Sequence, residues 1–145
     1  MKSILFLTAL LLGSTTTLAQ TPIDILQASN TQYLAKMEAE GFEFRSQIIT
    51  EFNLDHAEQN VNIRLKAGYT YQLVAMGDSG IKALNLEVNS LKKFKLSNLG
   101  YGEEVGSGKI RSLVPEKSGK FKITLSVKDF GESDKGFVSF MVLRK

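Results

Sequence analysis

Residues 120–143 read KFKITLSVKDFGESDKGFVSFMVL, and this stretch decides the fold. In its first half Phe121, Ile123, Leu125 and Val127 alternate with Lys120, Lys122, Thr124 and Ser126. That period of two belongs to a strand with one face in a core and the other in water. A turn rich in Asp, Gly and Ser follows. Beyond it Phe137, Met141 and Leu143 oppose Val138, Phe140 and Val142, so both faces of the closing strand are apolar. Such a strand must be covered on both sides, which predicts a central position in its sheet.

The same alternation recurs upstream. Phe42, Phe44, Ser46 and Ile48 alternate with Glu43, Arg45 and Gln47, and Val61, Ile63 and Leu65 with Asn62, Arg64 and Lys66. Residues 69–75 (YTYQLVA) are rich in strand formers and end at Gly77-Asp78-Ser79-Gly80, a turn signal. Further strands fit residues 81–88, 91–96 and 110–114. Eight short strands with glycine-bearing turns and one helix predict a mainly β fold, an antiparallel β-sandwich over residues 42–145. A doubly wound α/β fold is disfavoured, because it needs a helix after nearly every strand.

The one helix is expected at residues 22–40. Thr21 suits the N-cap, Pro22 the first helical position and Asp24 the positive end of the dipole. Ile23, Leu26, Tyr33, Leu34 and Met37 recur at helical spacing, Asn30 interrupts the stripe, and Gly41 supplies the stop. The stripe predicts packing on the sandwich, with Glu38 and Glu40 on the polar face.

Before the helix stands MKSILFLTALLLGSTTTLAQ, with Lys2, an apolar run Ile4–Leu12 and a small-residue end at Ala19. These are the parts of a secretory signal peptide over residues 1–19. The run is too short for a bilayer, which takes about twenty helical residues, so no transmembrane segment is expected in the mature chain. The expected location is periplasmic or secreted. The 126 residues that remain bury roughly two-thirds of their unfolded surface, enough for one core without staples.

The whole chain has 145 residues, 43% hydrophobic and 23% charged, with twelve glycines, two prolines and no cysteine. That mixture excludes a disordered, collagenous or multispan membrane protein. Lack of cysteine removes thiol nucleophiles, thiolate zinc sites and iron–sulfur clusters, and leaves burial and strand pairing to hold an exported fold.

The run Leu65-Lys66-Ala67-Gly68-Tyr69-Thr70-Tyr71-Gln72-Leu73-Val74-Ala75-Met76-Gly77-Asp78 resembles the opening of the bacterial pre-peptidase C-terminal domain. Leu84–Val88 is similar to that family's next strand, Pro115–Leu125 to its proline, glycine and alternating strand, and Gly136–Leu143 to its closing strand. The resemblance covers about residues 60–145. It implies a small jelly-roll-like sandwich that serves as an accessory to an exported protein and is not itself catalytic. Here an amphipathic helix precedes the sandwich where the family has a protease domain. The expected role is therefore binding through the module's own surface or to a separately encoded partner.

Catalytic patterns are sparse. His56, beside Asp55, is the single histidine, and a hydrolase built on it would need a serine brought to it by the fold. The mature chain has no G-x-S-x-G elbow. Asp129, Glu132 and Asp134 are the nearest approach to a calcium loop, but turn geometry favours the same residues, and Lys128 and Lys135 flank them. Gly108-Lys109 is followed by Ile110, which breaks a phosphate-loop pattern. No cofactor is expected.

Binding is expected at two places. One is the stretch 97–109 (SNLGYGEEVGSGK), read as a long loop exposing Tyr101, Glu103 and Glu104. The other is a basic patch at Lys92, Lys93 and Lys95 with Lys120 and Lys122. Residues 20–60 carry two basic and seven acidic side chains, and residues 61–145 fifteen and eight, so a net charge of +3 hides an acidic front and a basic sandwich. The front either neutralises the sandwich or leaves it for an envelope protein or an anionic glycan. Nucleic acid is disfavoured by compartment and by the lack of interleaved arginines and aromatics. The expectation is an exported, non-enzymatic binding or accessory module. The alternatives are a small-ligand carrier with a pocket between helix and sheet at Ile23, Leu26 and Tyr33, and a hydrolase using His56.

Overall fold

The closing strand β8 (Lys135–Arg144) lies between β1 (Glu43–Asn53) and β3 (Tyr71–Gly77), the central place its two apolar faces require. A computed structural model describes residues 19–90, 104–105 and 108–145. Beyond β3 the sheet continues through β6 (Gly108–Leu113) to β5 (Glu104–Val105), five antiparallel strands in all. The second sheet has the order β2-β7-β4, formed by β2 (Glu58–Leu65), β7 (Gly119–Phe130) and β4 (Ile81–Ser90). From β1 to β4 the chain changes sheet at every step, and again from β6 to β8, the alternation of a jelly roll.

The two sheets close on one core. Leu73, Val138, Phe140 and Val142 from the larger sheet meet Leu65, Leu86, Phe121 and Leu125 from the smaller, all buried. Each such side chain contributes about 1.5–3 kcal/mol by leaving water. The alternation in β7 is thus the division between this core and solvent.

Helix α1 (Pro22–Ala39) covers the other face of the larger sheet. Leu26 and Met37 pack with Val74, Met76, Met141 and Leu143, which explains why β8 is apolar on both sides. The Thr21 hydroxyl accepts from the Asp24 N–H at 3.2 Å, and the Asp24 carboxylate accepts from the Thr21 N–H at 2.9 Å. This reciprocal box satisfies amides that the helix itself leaves unpaired. Gly41, at φ 90°, turns the chain into β1 in a conformation that side chains with a Cβ rarely adopt.

Three expectations change. The stripe of α1 is not interrupted at Asn30. That residue is 3% exposed, and its amide donates to the hydroxyl of the fully buried Ser139 at 2.7 Å. Phe44 does not share a face with Ser46 and Ile48, because the β1–β8 register shifts between Phe44 and Ser46. The bulge at Arg45 turns Phe44 toward the helix side, where it is 42% exposed, while Ile48 packs in the sandwich core. Finally, the stretch after Tyr101 is not loop throughout: Glu104 pairs with Lys109 and Val105 with Gly108, and buried Gly108 opens β6. The expected strand at 91–96 lies outside the described residues.

The GDSG turn ties β3 and β4 to the final hairpin. Asp78 accepts from the Gly80 N–H at 2.9 Å and from the Phe137 N–H at 3.0 Å, using different carboxylate oxygens. A Cβ on Gly80 would collide with the Lys135 carbonyl, and one on Gly136 would stand 2.6 Å from Asp78 Oδ1. Gly80 is there because a backbone passes too close for anything larger, and Gly136 because the Asp78 carboxylate and Ile81 fill the space a Cβ would need.

Candidate functional site

Among the described residues β1 is an edge strand of the larger sheet and β2 of the smaller, and residues of both line one opening. Between these edges opens a groove of about 300 Å³. Its floor is the margin of the sandwich core, at Ile63, Leu65 and Val142. Four cationic residues line it as well: Arg45, Arg64, Lys66 and Arg144. Among the described residues that line it, none is acidic.

Local structure places each of the four. Arg45 sits in the β1 bulge and is half exposed. Arg64 is the last outward-facing residue of β2, and Lys66 follows that strand, its N–H donating to the Tyr71 hydroxyl at 3.0 Å. Arg144 ends β8 in register with Glu43. Its guanidinium lies over the Tyr69 ring at 4.3 Å, and its Nη2 donates to Glu43 Oε2 at 3.4 Å. Its side chain is 17% exposed, and Nε is buried without a partner. Desolvation opposes this charge, but Glu43 and Tyr69 outweigh it and raise the pKa above the ordinary guanidinium value.

The groove runs into the outer face of the smaller sheet. There Arg64 stands directly opposite Lys120, and Asn62 opposite Lys122, all four exposed or half-exposed. Like charges facing each other across strands are destabilising. The carboxylates of this face stand elsewhere, Glu58 opposite Ser126 and Glu87 opposite Thr124. Glu43 of the acidic front pairs with Arg144 of the sandwich, and among the described residues no carboxylate is ion-paired with Arg64, Lys66, Lys120 or Lys122.

Of the residues singled out in the sequence, Lys120 and Lys122 belong to this basic face. Lys92, Lys93, Lys95, Tyr101 and Glu103 lie outside the described residues, and Glu104 is placed by its backbone in β5. His56 is exposed in the connection between β1 and β2, its N–H on Asn53 Oδ1 at 2.9 Å. Asp129 is the last residue but one of β7, and Glu132 and Asp134 fall in the turn to β8, with Asp134 at φ 51°. Among the described residues no group of three His, Cys, Asp or Glu is arranged to hold a metal ion.

A cleft of about 220 Å³ does lie between helix and sheet, but its walls are not Ile23, Leu26 and Tyr33. Leu26 is buried in the helix–sheet core, and the Tyr33 hydroxyl donates to Gln72 at 2.6 Å. Asn30, Leu34, Phe44, Gln47 and Met141 line it instead.

Sequence reasoning missed Arg45 and Arg144 as partners. Arg45 counted with the acidic front, and only the register of β1 against β8 brings it near the end of the chain. No helix among the described residues is long and apolar enough to cross a membrane.

The sequence matches no known family profile and no curated protein. In three dimensions the chain is similar to the pre-peptidase C-terminal domain of collagenase from Bacillus anthracis. The TM-score is 0.53 at 13% identity, over 67% of this chain and 87% of that one. The chain thus has the fold of a pre-peptidase C-terminal domain, and the likeness is one of fold.

Proposed function

We propose that the chain is an exported, non-enzymatic binding module that meets an anionic glycan through the basic face of its smaller sheet. The observation that carries this reading is Arg64 opposite Lys120, two like charges in register with no ion-paired carboxylate among the described residues. A fold retains such a pair at a cost to itself, and a bound polyanion offsets that cost. Lys122 extends the patch, and Lys92, Lys93 and Lys95 are proposed as its continuation. The signal-like first 19 residues support export.

The test is retention of the exported chain on an immobilised polyuronate, with neutral dextran as control. Wild-type protein is expected to bind the acidic matrix and elute with salt. Lys120→Gln with Lys122→Gln should elute clearly earlier. Equal retention on both matrices would reject the reading, and capture of an envelope protein without polyuronate binding would transfer the face to a protein partner.

The helix–sheet cleft supports a second reading, a small-ligand carrier. Buried Asn30 Oδ1 lacks a hydrogen-bond partner beside it. Thr31 also lines the cleft. Closing the cleft with Thr31→Phe should then abolish uptake of small apolar fluorophores, and no uptake by the wild type would exclude a carrier.

A further inference from the structure

We propose that the groove between the edges of β1 and β2 is a subsite for a single carboxylated sugar unit, its carboxylate seated between Arg45 and Arg144 and its ring laid on Ile63 and Val142. This rests on the reading of the chain as a binder of anionic glycan and names the unit it grips.

The geometry of the two arginines carries the inference. Glu43 Oε2 stands 3.4 Å from Arg144 Nη2 and 3.9 Å from Arg45 Nη1, so the two guanidiniums already share one carboxylate. Glu43 holds them loosely from outside the groove, which it does not line. Its side chain is 66% exposed, and neither distance is that of a short, charge-assisted bond. Arg144 is held in advance by the Tyr69 ring, so little freedom is lost when a ligand arrives.

Size and polarity fit the same unit. At about 300 Å³ the groove is at the small end of ligand sites, suited to one small unit such as a hexose acid. One side of the groove is the apolar core margin, suited to the C–H face of a sugar ring. The other carries the cations and the Ser46 hydroxyl, suited to its carboxylate and hydroxyls. Arg64 and Lys66 continue from the groove to the face where Lys120 and Lys122 take the next charges of a chain.

Glu43 then acts as an internal competitor, and this gives the proposal its sharpest test. Glucuronate is titrated into the exported wild-type chain and followed by backbone amide NMR, with glucose as control. Shifts are expected at Arg45, Ser46, Lys66 and Arg144 with glucuronate and not with glucose. Glu43→Gln should tighten glucuronate binding about 2- to 5-fold, the worth of one exposed ion pair. Arg45→Gln, at a half-exposed site that tolerates substitution, should weaken it, and Arg144→Gln should weaken it further if the variant unfolds at the wild-type temperature.

Shifts confined to other residues, equal shifts with glucose, or weaker binding in Glu43→Gln would overturn the proposal. Retention on polyuronate without groove shifts would reject the subsite and keep the basic-face reading. Groove shifts without polymer retention would do the reverse, leaving a site for the free sugar acid.

Discussion

The amide of Asn30 on α1 donates to the hydroxyl of Ser139 on β8 at 2.7 Å, joining two buried residues 109 positions apart. The Gln47 amide reaches the same hydroxyl at 3.0 Å. A polar knot therefore fixes the helix on the sheet within an otherwise apolar contact. Ser139→Ala should destabilise by about 1–3 kcal/mol, since the Asn30 amide then stays buried and unpaired. Replacing Asn30 by Leu in the same chain should recover much of that loss. Chemical denaturation of both single variants and the double variant measures the coupling, and strictly additive effects would show that the knot holds nothing.

Asp78 is the second fixed point, because its carboxylate satisfies backbone amides of both its own turn and β8. Asp78→Ala leaves the half-buried Phe137 N–H without its partner and should cost about 1–3 kcal/mol. Gly136→Ala should destabilise too, by displacing the same carboxylate. Thermal unfolding checks both, and a Gly136→Ala protein as stable as wild type would mean that the turn can open without loss.

The sequence and the structure agree where structure is local. The alternation of β7 and the two apolar faces of β8 are direct imprints of burial, and the Thr21–Asp24 box follows from residues three apart. What stayed hidden depends on register. The bulge at Arg45 reverses the side that Phe44 faces, and Asn30 looks like a flaw in a stripe until Ser139 is placed under it. The groove cations come from β1, β8 and the end of β2; antiparallel pairing brings Arg45 near Arg144, and packing of the two sheets adds Arg64 and Lys66.

Helix entry should respond to acid. Thr21 stabilises the Asp24 carboxylate, first through its hydroxyl and then through its backbone N–H, and lowers the pKa from its ordinary 3.8. A lowered carboxylate pKa adds stability that is present above the unfolded value and lost as pH falls through the folded one. Hydrogen exchange at the first turn of α1 should therefore lose protection below pH 3.8, relative to the body of the helix. Asp24→Asn should remove that pH dependence, and a first turn equally protected across this range would contradict the cap's electrostatic role.

Arg64 and Lys120 predict opposite movements of stability and binding. Lys120→Glu converts a repulsive cross-strand pair into an attractive one, which should add about 0.2–1 kcal/mol. The same variant should lose affinity for polyuronate. Calorimetry and retention on one protein sample decide it, and a variant both less stable and equally well retained would remove the strain argument.

The central claim is that the basic face and its adjoining groove exist to hold a polyanion, and the dependence of binding on salt tests it most directly. Affinity of the exported chain for soluble polyuronate should fall steeply between low and physiological ionic strength, as exposed charges are screened over about 8–10 Å. Lys120→Gln with Lys122→Gln should lower the affinity and flatten the slope. An affinity independent of salt, or a slope unchanged in the double variant, would contradict the account.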